Sequence, residues 1–522
     1  MTGTSTFTRR LRHLISISRS SVLTMIHLDR DSSVPVRQQL YARIRELIVQ
    51  GNLGADTQLP SSRTLAVELG VSRNTIVAAF DQLIAEGYLD ARVGAGSFVA
   101  VQLPDALGKS VRAAPHIVRA TAGREVRLAG EMLTRRSTSP PSLPVRPRAF
   151  ALGVPSVDEF PYAAWGKIVA KRWGRSAASL SAYGAPGGLP ALREVIADYL
   201  VTSRGVRCNP SQVFVVGGSQ QGLNLAVRVL LDRGDPAWME NPGYHGAREA
   251  FDAVGARIVP VPVDAEGLDV QAGEAAERHP RLIYATPSHQ FPLGMTMTMR
   301  RRAQLLACAS NADAWVFEDD YDSEFRYSGQ PLPALQGLDE EDRVIYAGTF
   351  SKGLLPSLRL GYLVVPPDLV EPFQRAHTVS GLDGSLLDQT VVADFIREGH
   401  FARHIRRMRR LYATRRELLV ESLRRHLGGM IDVGLPASGT HLVAYLRDGV
   451  SDVDACRAAA ANGVIMTPLS SAYIGTAQSG LLLGYASVRG PLIERGVRQV
   501  ASALRSLIPD SPLRPLDHRV AG

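Results

Sequence analysis

Apolar residues at Leu40, Ile44, Leu47 and Ile48 follow the i, i+4, i+7, i+8 spacing of an amphipathic helix across residues 36–50, which Gly51 ends. After Leu59-Pro60, Ser61 or Ser62 is placed to cap a short helix that reaches Leu69 and closes at Gly70. Val71-Ser72 opens a third helix, running from Arg73 to Leu83 and ending at Gly87, with polar residues in its first turn and apolar ones behind. Two β-prone runs, 88–92 and 97–101, flank Val93-Gly94-Ala95-Gly96, a glycine turn suited to a two-stranded wing. From Phe150 to about Ile508 strand-like runs at 212–216, 281–285, 314–318 and 343–347 alternate with helical segments, which predicts a βαβ sheet. Residues 104–149 hold scattered Pro, Arg and Ser, with at most one helical stretch near 119–133, and read as a linker.

Composition narrows the class. A chain of 522 residues with 45% apolar content is long enough for several domains with sizeable cores. No apolar run approaches the ~18 residues of a membrane-spanning helix. Cys208, Cys308 and Cys456 are odd in number and widely spaced, which argues against a disulfide framework and a zinc site and for a reducing, cytoplasmic compartment. The net charge of +9 suggests a nucleic-acid partner. It is concentrated, however, in residues 1–28 and 104–150, which together supply about +10, whereas 29–103 sum to about −1. Residues 1–28 read as a disordered basic tail, or as the product of a start placed too early, since Met25 directly precedes the patterned sequence. Residues 511–522 read as a C-terminal tail.

Two helices joined by a tight glycine turn, the second opening Ser72-Arg73-Asn74-Thr75, have the geometry that presents N-terminal side chains to the major groove. Arg73 can contact guanine and Asn74 adenine, while Ser72 and Thr75 can hold phosphates at the helix N-terminus. Arg63 is placed for the DNA backbone. The competing reading is a three-helix packing module, which the near-neutral charge of 29–103 would suit. Pro35 to Val101 resembles the winged helix-turn-helix of the GntR class of bacterial regulators. The resemblance implies that Arg63, Arg73 and Thr75 contact DNA and that the wing around Gly96 enters the minor groove.

Lys352 is one of four lysines beside fifty-five arginines, within Gly348-Thr349-Phe350-Ser351-Lys352-Gly353. A lysine kept where this chain otherwise uses arginine suggests an amine that can lose its proton and attack a carbonyl, as in a Schiff base. A pyridoxal phosphate (PLP) site needs such a lysine, an acid at the pyridine nitrogen, a donor to the ring oxygen, a stacking group and an anion cradle. Asp319 and Tyr321, just past the apolar run 314–317, are candidates for the acid and the donor. The glycine turn before Ser219 and Gln220 outlines a phosphate cradle, to which Thr349 and Arg359 add a hydroxyl and a guanidinium. The acidic cluster 318–322 could instead be a solvated loop or a metal site, but no His lies near it in sequence and no metal site is expected.

The segments 217–220, 240–244, 286–292, 318–327 and 348–362 together resemble the α/β fold-type I aminotransferase domain, most closely its version in MocR-type regulators, where it follows a GntR-type winged helix. The resemblance covers about residues 35–505. It implies a multidomain chain: a winged helix-turn-helix over 29–103, a linker over 104–149 and an aminotransferase-like domain over 150–510. It further implies a Schiff base on Lys352, Asp319 at the ring nitrogen, Tyr321 at the ring oxygen and Tyr244 stacked on the ring. Ser219, Gln220, Thr349 and Arg359 would hold the phosphate. A head-to-tail homodimer is implied as well.

Two departures stand out. Phe291 precedes Pro292 where aminotransferases usually place Asn, and Gly484-Tyr485-Ala486-Ser487 lacks the usual carboxylate-binding Arg, with Arg489 displaced by two residues. An unpaired carboxylate in a partly dry site is costly, so the usual amino-acid carboxylate is poorly served. The expected function is a sequence-specific, PLP-binding transcription regulator that recognises a double-stranded DNA operator, with PLP or a small amine as effector. The alternatives are an aminotransferase with an accessory DNA-binding module, which would run at least a transamination half-reaction, and a nonspecific DNA-organising protein.

Overall fold

A computed structural model describes residues 26–104 and 149–507, apart from positions 93, 330–331, 382–383 and 448. The predicted tails and linker lie almost wholly outside the described residues. The chain divides into two compact units between residues 126 and 127.

The first unit holds helices α1 (Val36–Val49), α2 (Ser62–Leu69) and α3 (Arg73–Ala85), followed by strands β1 (Leu89–Arg92) and β2 (Gly96–Val99). Leu40, Ile44, Leu47 and Ile48 are buried, as their spacing predicts, against Leu65, Ile76, Phe80 and Leu83. Each buried Leu or Ile contributes roughly 1.5–3 kcal/mol relative to exposure. Ser61 Oγ accepts the Thr64 N–H at 3.2 Å and Ser72 Oγ accepts that of Thr75 at 3.1 Å, so α2 and α3 both start on serine caps. Gly70, at φ 61°, closes α2 in the left-handed region, where a side chain would be strained, and so turns the chain into α3. β1 and β2 pair antiparallel from Leu89↔Val99 to Arg92↔Gly96, forming the wing.

The second unit is built on an eight-stranded sheet of order β3-β10-β9-β8-β7-β4-β5-β6. Its strands are β3 (Val213–Val216), β4 (Pro236–Asn241), β5 (Arg257–Asp264), β6 (Gly267–Leu268), β7 (Leu282–Ala285), β8 (Trp315–Asp320), β9 (Val344–Thr349) and β10 (Gly361–Val364). The four predicted runs correspond to β3, β7, β8 and β9. Helices cover both faces: along β7, Leu282 and Tyr284 enter one core and Ile283 and Ala285 the other. Burial on both faces makes these strands continuous apolar runs without alternation.

The sheet is mixed, not simply βαβ. β10 lies antiparallel between β3 and β9. The connection 350–360 is too short for a parallel crossover, which needs a dozen or more residues, so the chain turns straight back. A second, antiparallel sheet of order β11-β12-β14-β13 comprises β11 (Ile431–Val433), β12 (His441–Leu446), β13 (Thr467–Pro468) and β14 (Gly480–Gly484). Its core also takes in the long helix His400–Leu427 and the helix Gly490–Arg505.

Candidate cofactor site and nucleic-acid interface

β8 and β9 run parallel in a register that sets Asp319 beside Ala347 and Asp320 beside Gly348. Both strands therefore deliver their last residues to the same carboxyl end of the sheet, the usual place for ligands in open α/β sheets. Beyond β9, Thr349 Oγ1 accepts the Ser351 N–H at 3.1 Å and caps a single helical turn, Phe350–Gly353, that carries Lys352. The Lys352 ammonium donates to the Gly153 carbonyl at 3.1 Å. Burial lowers its pKa, opposed by the charges of Asp322 and Asp319. A methyl group on Gly153 would collide with the amine, and Gly153 holds φ 70°.

Asp319 is buried and accepts the Tyr284 hydroxyl at 2.8 Å on Oδ2, while Oδ1 is buried without a partner. Burial pushes its carboxyl up to about 7; the Tyr284 hydrogen bond opposes this. Tyr321 Oη lies 2.9 Å from His289 Nδ1, which is also 3.1 Å from Asp322 Oδ1. His289 Nε2 is buried and unpartnered. Beneath them Glu240 accepts the Thr286 N–H at 3.0 Å and the Gln290 amide at 3.3 Å, and burial pushes it up to about 7.

Tyr244, at the start of the helix His245–Val254, meets Phe291 edge-to-face with centroids 5.8 Å apart. Phe291 also faces Tyr321 at 6.1 Å and His441 at 5.7 Å, so the position before Pro292 packs among rings and offers no polar atom. Ser219 begins the helix Ser219–Leu230 directly after Gly218, which holds φ 109°. A Cβ on Gly361 would lie 2.8 Å from Gly218 Cα, so the strand ends around this helix start approach backbone to backbone. Gln220 Nε2 is engaged with the Gly246 carbonyl at 2.9 Å, leaving Oε1 buried and unpartnered. Arg359 is exposed, at φ 47°, on the turn after Pro356–Leu358.

The donor set fits PLP. Asp319 Oδ1 is a buried acceptor with nothing to accept, suited to a protonated ring nitrogen, and it shares one end of the sheet with a partly buried amine and a helix N-terminus free of side-chain caps. Sequence reasoning missed Gly153, Tyr284, His289 and Glu240 as site residues. His289 and Glu240 lay inside the segments that carried the family resemblance; Gly153 and Tyr284 left no local signal. At the C-terminal end, Arg489 pairs with Asp158 at 2.8 Å, while Ser487 Oγ is buried without a partner. Nearby, the buried Arg415 donates to Ser156 Oγ at 3.0 Å and to the Ala486 carbonyl.

In the first unit Arg63, Arg73 and Asn74 are exposed, and neither arginine has an ion pair among the described residues. Arg73 Nε points to Ser62 Oγ at 3.4 Å. The Ser72 and Thr75 hydroxyls are 2.8 Å apart within the cap. Gly96 is exposed at φ 104°, and the Gln58 amide donates to the Ala95 carbonyl at 2.6 Å, which steadies the wing.

Residues 36–99 match the gntR family of bacterial regulatory proteins, and residues 158–495 match aminotransferase class I and II. A probable rhizopine catabolism regulatory protein, MocR, of Rhizobium meliloti is 43% identical over 95% of this chain and 99% of its own length. The chain belongs to the MocR-type regulators. The pyridoxine biosynthesis transcriptional regulator PdxR of Corynebacterium glutamicum is 33% identical over 87% of the chain and 92% of its own. Among solved structures, α-aminoadipate aminotransferase LysN of Thermus thermophilus, complexed with N-(5'-phosphopyridoxyl)-L-leucine, is 30% identical with a TM-score of 0.64, covering 69% of this chain and 92% of its own. Kynurenine aminotransferase of Pyrococcus horikoshii reaches a TM-score of 0.67 at 28% identity, over 73% of this chain and 97% of its own. The class I and II aminotransferase fold implies PLP binding in the second unit.

Proposed function

We propose that this protein is a sequence-specific, DNA-binding transcription regulator whose aminotransferase-like unit carries PLP on Lys352 as part of its signal. The observation that carries the reading is the buried, unpartnered Oδ1 of Asp319 at the same end of the sheet as Lys352, in a chain whose other unit exposes Arg63, Arg73 and Asn74. PLP supplies an aldehyde that an amine can capture and a ring that withdraws electrons. Around it, Asp319 would hold a proton at the ring nitrogen and Tyr321, oriented by His289, would donate to the ring oxygen. Tyr244 would cover the ring face, and Ser219, Gln220, Thr349 and Arg359 would bind the phosphate. Partial burial of Lys352 lowers its pKa and eases loss of its proton.

Arg63, Ser72, Arg73, Asn74, Thr75 and Gly96 are the proposed DNA contacts. The domain bounds 29–103 and 150–510, a head-to-tail homodimer, a cytoplasmic location and a small amine as a second effector belong to the same proposal. The deciding experiment measures binding of purified protein to the DNA upstream of its own gene, at fixed salt, with and without PLP, against an unrelated duplex of equal length. Specific binding that PLP shifts supports the regulator; no specific binding in either state overturns it. The aminotransferase reading draws on the lowered Lys352 pKa, which suits a proton shuttle. Sustained keto-acid production from an amino donor would establish it.

A further inference from the structure

Behind the β8 end lies a polar cavity of about 250 Å³ that neither Lys352 nor Asp319 lines. Four arginines line it, Arg204, Arg302, Arg326 and Arg409, together with one acidic residue, Glu324. Arg204 is neutralised by Asp320 at 2.8 Å. Arg302 is fully buried, donates to the main-chain carbonyls of Met297, Pro287 and Pro333 at 2.9–3.1 Å, and is offset by the charge of the buried Glu318. Arg409 Nε donates to the Glu324 carbonyl at 2.9 Å. Arg326 has no carboxylate partner among the described residues: its Nη1 reaches Thr296 Oγ1 at 3.4 Å and its Nε is buried without a partner.

Opposite Arg326 stands Ser438, joined to it by an antiparallel backbone bridge that places both side chains on the same face. Ser438 is 2% exposed and its hydroxyl, which lines the cavity, has no partner. The Glu324 carboxyl, within reach of the Tyr199 hydroxyl at 3.3 Å, is pushed up to about 7 by burial and by the charge of Asp320. It therefore offsets the arginines only in part at neutral pH. A partly dry cavity in which Arg326 lacks a carboxylate partner and Ser438 has an idle hydroxyl is stabilised by an anion, and a guanidinium fork matches phosphate or carboxylate oxygens. The volume falls below the roughly 300–1,000 Å³ of pockets for drug-sized ligands, so a nucleotide is too large.

We propose that this cavity binds a small dianionic oxyanion, phosphate or a short dicarboxylate, through Arg326, Arg409 and the Ser438 hydroxyl. Two links join it to the cofactor side. Arg204 bonds both Asp320 and, at 2.7 Å, Ser288, the neighbours of Asp319 and His289. Gly439, next to Ser438, packs so closely on the His289 ring that a Cβ there would collide with it.

The full-length protein is titrated calorimetrically with sodium phosphate and separately with succinate, ionic strength being held constant with sodium chloride. Wild type is compared with Arg326→Gln, Ser438→Ala and Arg359→Gln. The expected result is a saturable component that Arg326→Gln weakens about tenfold, the loss of one charge-assisted contact, that Ser438→Ala weakens less and that Arg359→Gln leaves intact. Saturation by phosphate alone assigns the ligand as phosphate, and saturation by both probes assigns the wider oxyanion class. No saturable component overturns the proposal. So does one abolished by Arg359→Gln yet unchanged in the other two variants, which would place the anion in the Ser219 cradle. If Arg326→Gln does not fold, Ser438→Ala decides.

Discussion

Lys352 and Gly153 form one device at the residue scale: the amine reaches the carbonyl of a glycine whose Cβ position it would otherwise crowd. Lys352→Ala should abolish borohydride-trappable PLP, checked by mass spectrometry of the reduced protein; a retained covalent adduct would remove Lys352 from its role. Gly153→Ala meets both the collision with Nζ and the strain of φ 70°, the latter costing about 1 kcal/mol or more. The expected outcome is PLP capture slowed at least about tenfold with the fold retained, read from cofactor absorbance after mixing. Capture at the wild-type rate would show that the amine does not depend on its place against Gly153.

The buried carboxyls make a pH prediction. Glu240, Asp319 and Glu324 are each pushed up to about 7 from ordinary values of 4.5, 3.8 and 4.5. Between those values and 7 the folded protein binds more protons than the unfolded chain, so stability is fully present at the acid end and declines as pH rises through about 7. The Tm of PLP-free protein should fall between pH 5 and pH 7.5 by at least a few degrees, since about 1 kcal/mol moves Tm by roughly 2–4 °C in domains of 150–250 residues. Asp319→Asn should flatten the decline. An unchanged slope in that variant would mean that Asp319 is already ionised when the ring is absent.

Helix α3 is the element on which the DNA reading turns, and Ser72 sets where it begins. Removing its cap, Ser72→Ala, should cost the first unit about 0.5–2 kcal/mol, visible in the unfolding of full-length protein followed by hydrogen exchange in residues 73–80. Operator affinity should fall with it, because Arg73 and Asn74 lie in the turn that the cap orders. Protection unchanged from wild type would mean that the core contacts of Ile76 and Phe80 alone set the start of the helix. Elements of this kind were legible in the chain: the serine caps, the glycine at the end of α2, the apolar faces and the strands β3, β7, β8 and β9 all depend on local spacing. β10 and the second sheet were not, since strand direction depends on connection length and on pairings made far along the sequence. The site was half legible for the same reason. Lys352, Asp319 and Tyr321 sit in dense local motifs, whereas Gly153 and Tyr284 reach Lys352 and Asp319 only through the fold.

For the whole molecule the question is whether the two units share free energy. The net charge of +9 comes mostly from residues 1–28 and 104–150, and charge of that kind adds affinity for any duplex whatever its sequence. A PLP signal therefore requires that PLP favour one state of the chain in which operator affinity differs. Such coupling is reciprocal: if PLP changes operator affinity by some factor, the operator must change PLP affinity by the same factor, commonly about 5–150-fold in coupled systems. The measurement is a thermodynamic box at one salt concentration, with operator binding by fluorescence anisotropy with and without PLP, and PLP binding by absorbance with and without operator. Two equal factors, both abolished in Lys352→Ala, are the expected outcome. An unrelated duplex should leave PLP affinity unchanged even where the basic linker binds it. Equal PLP affinity with and without operator would mean that the cofactor stabilises the second unit without instructing the first.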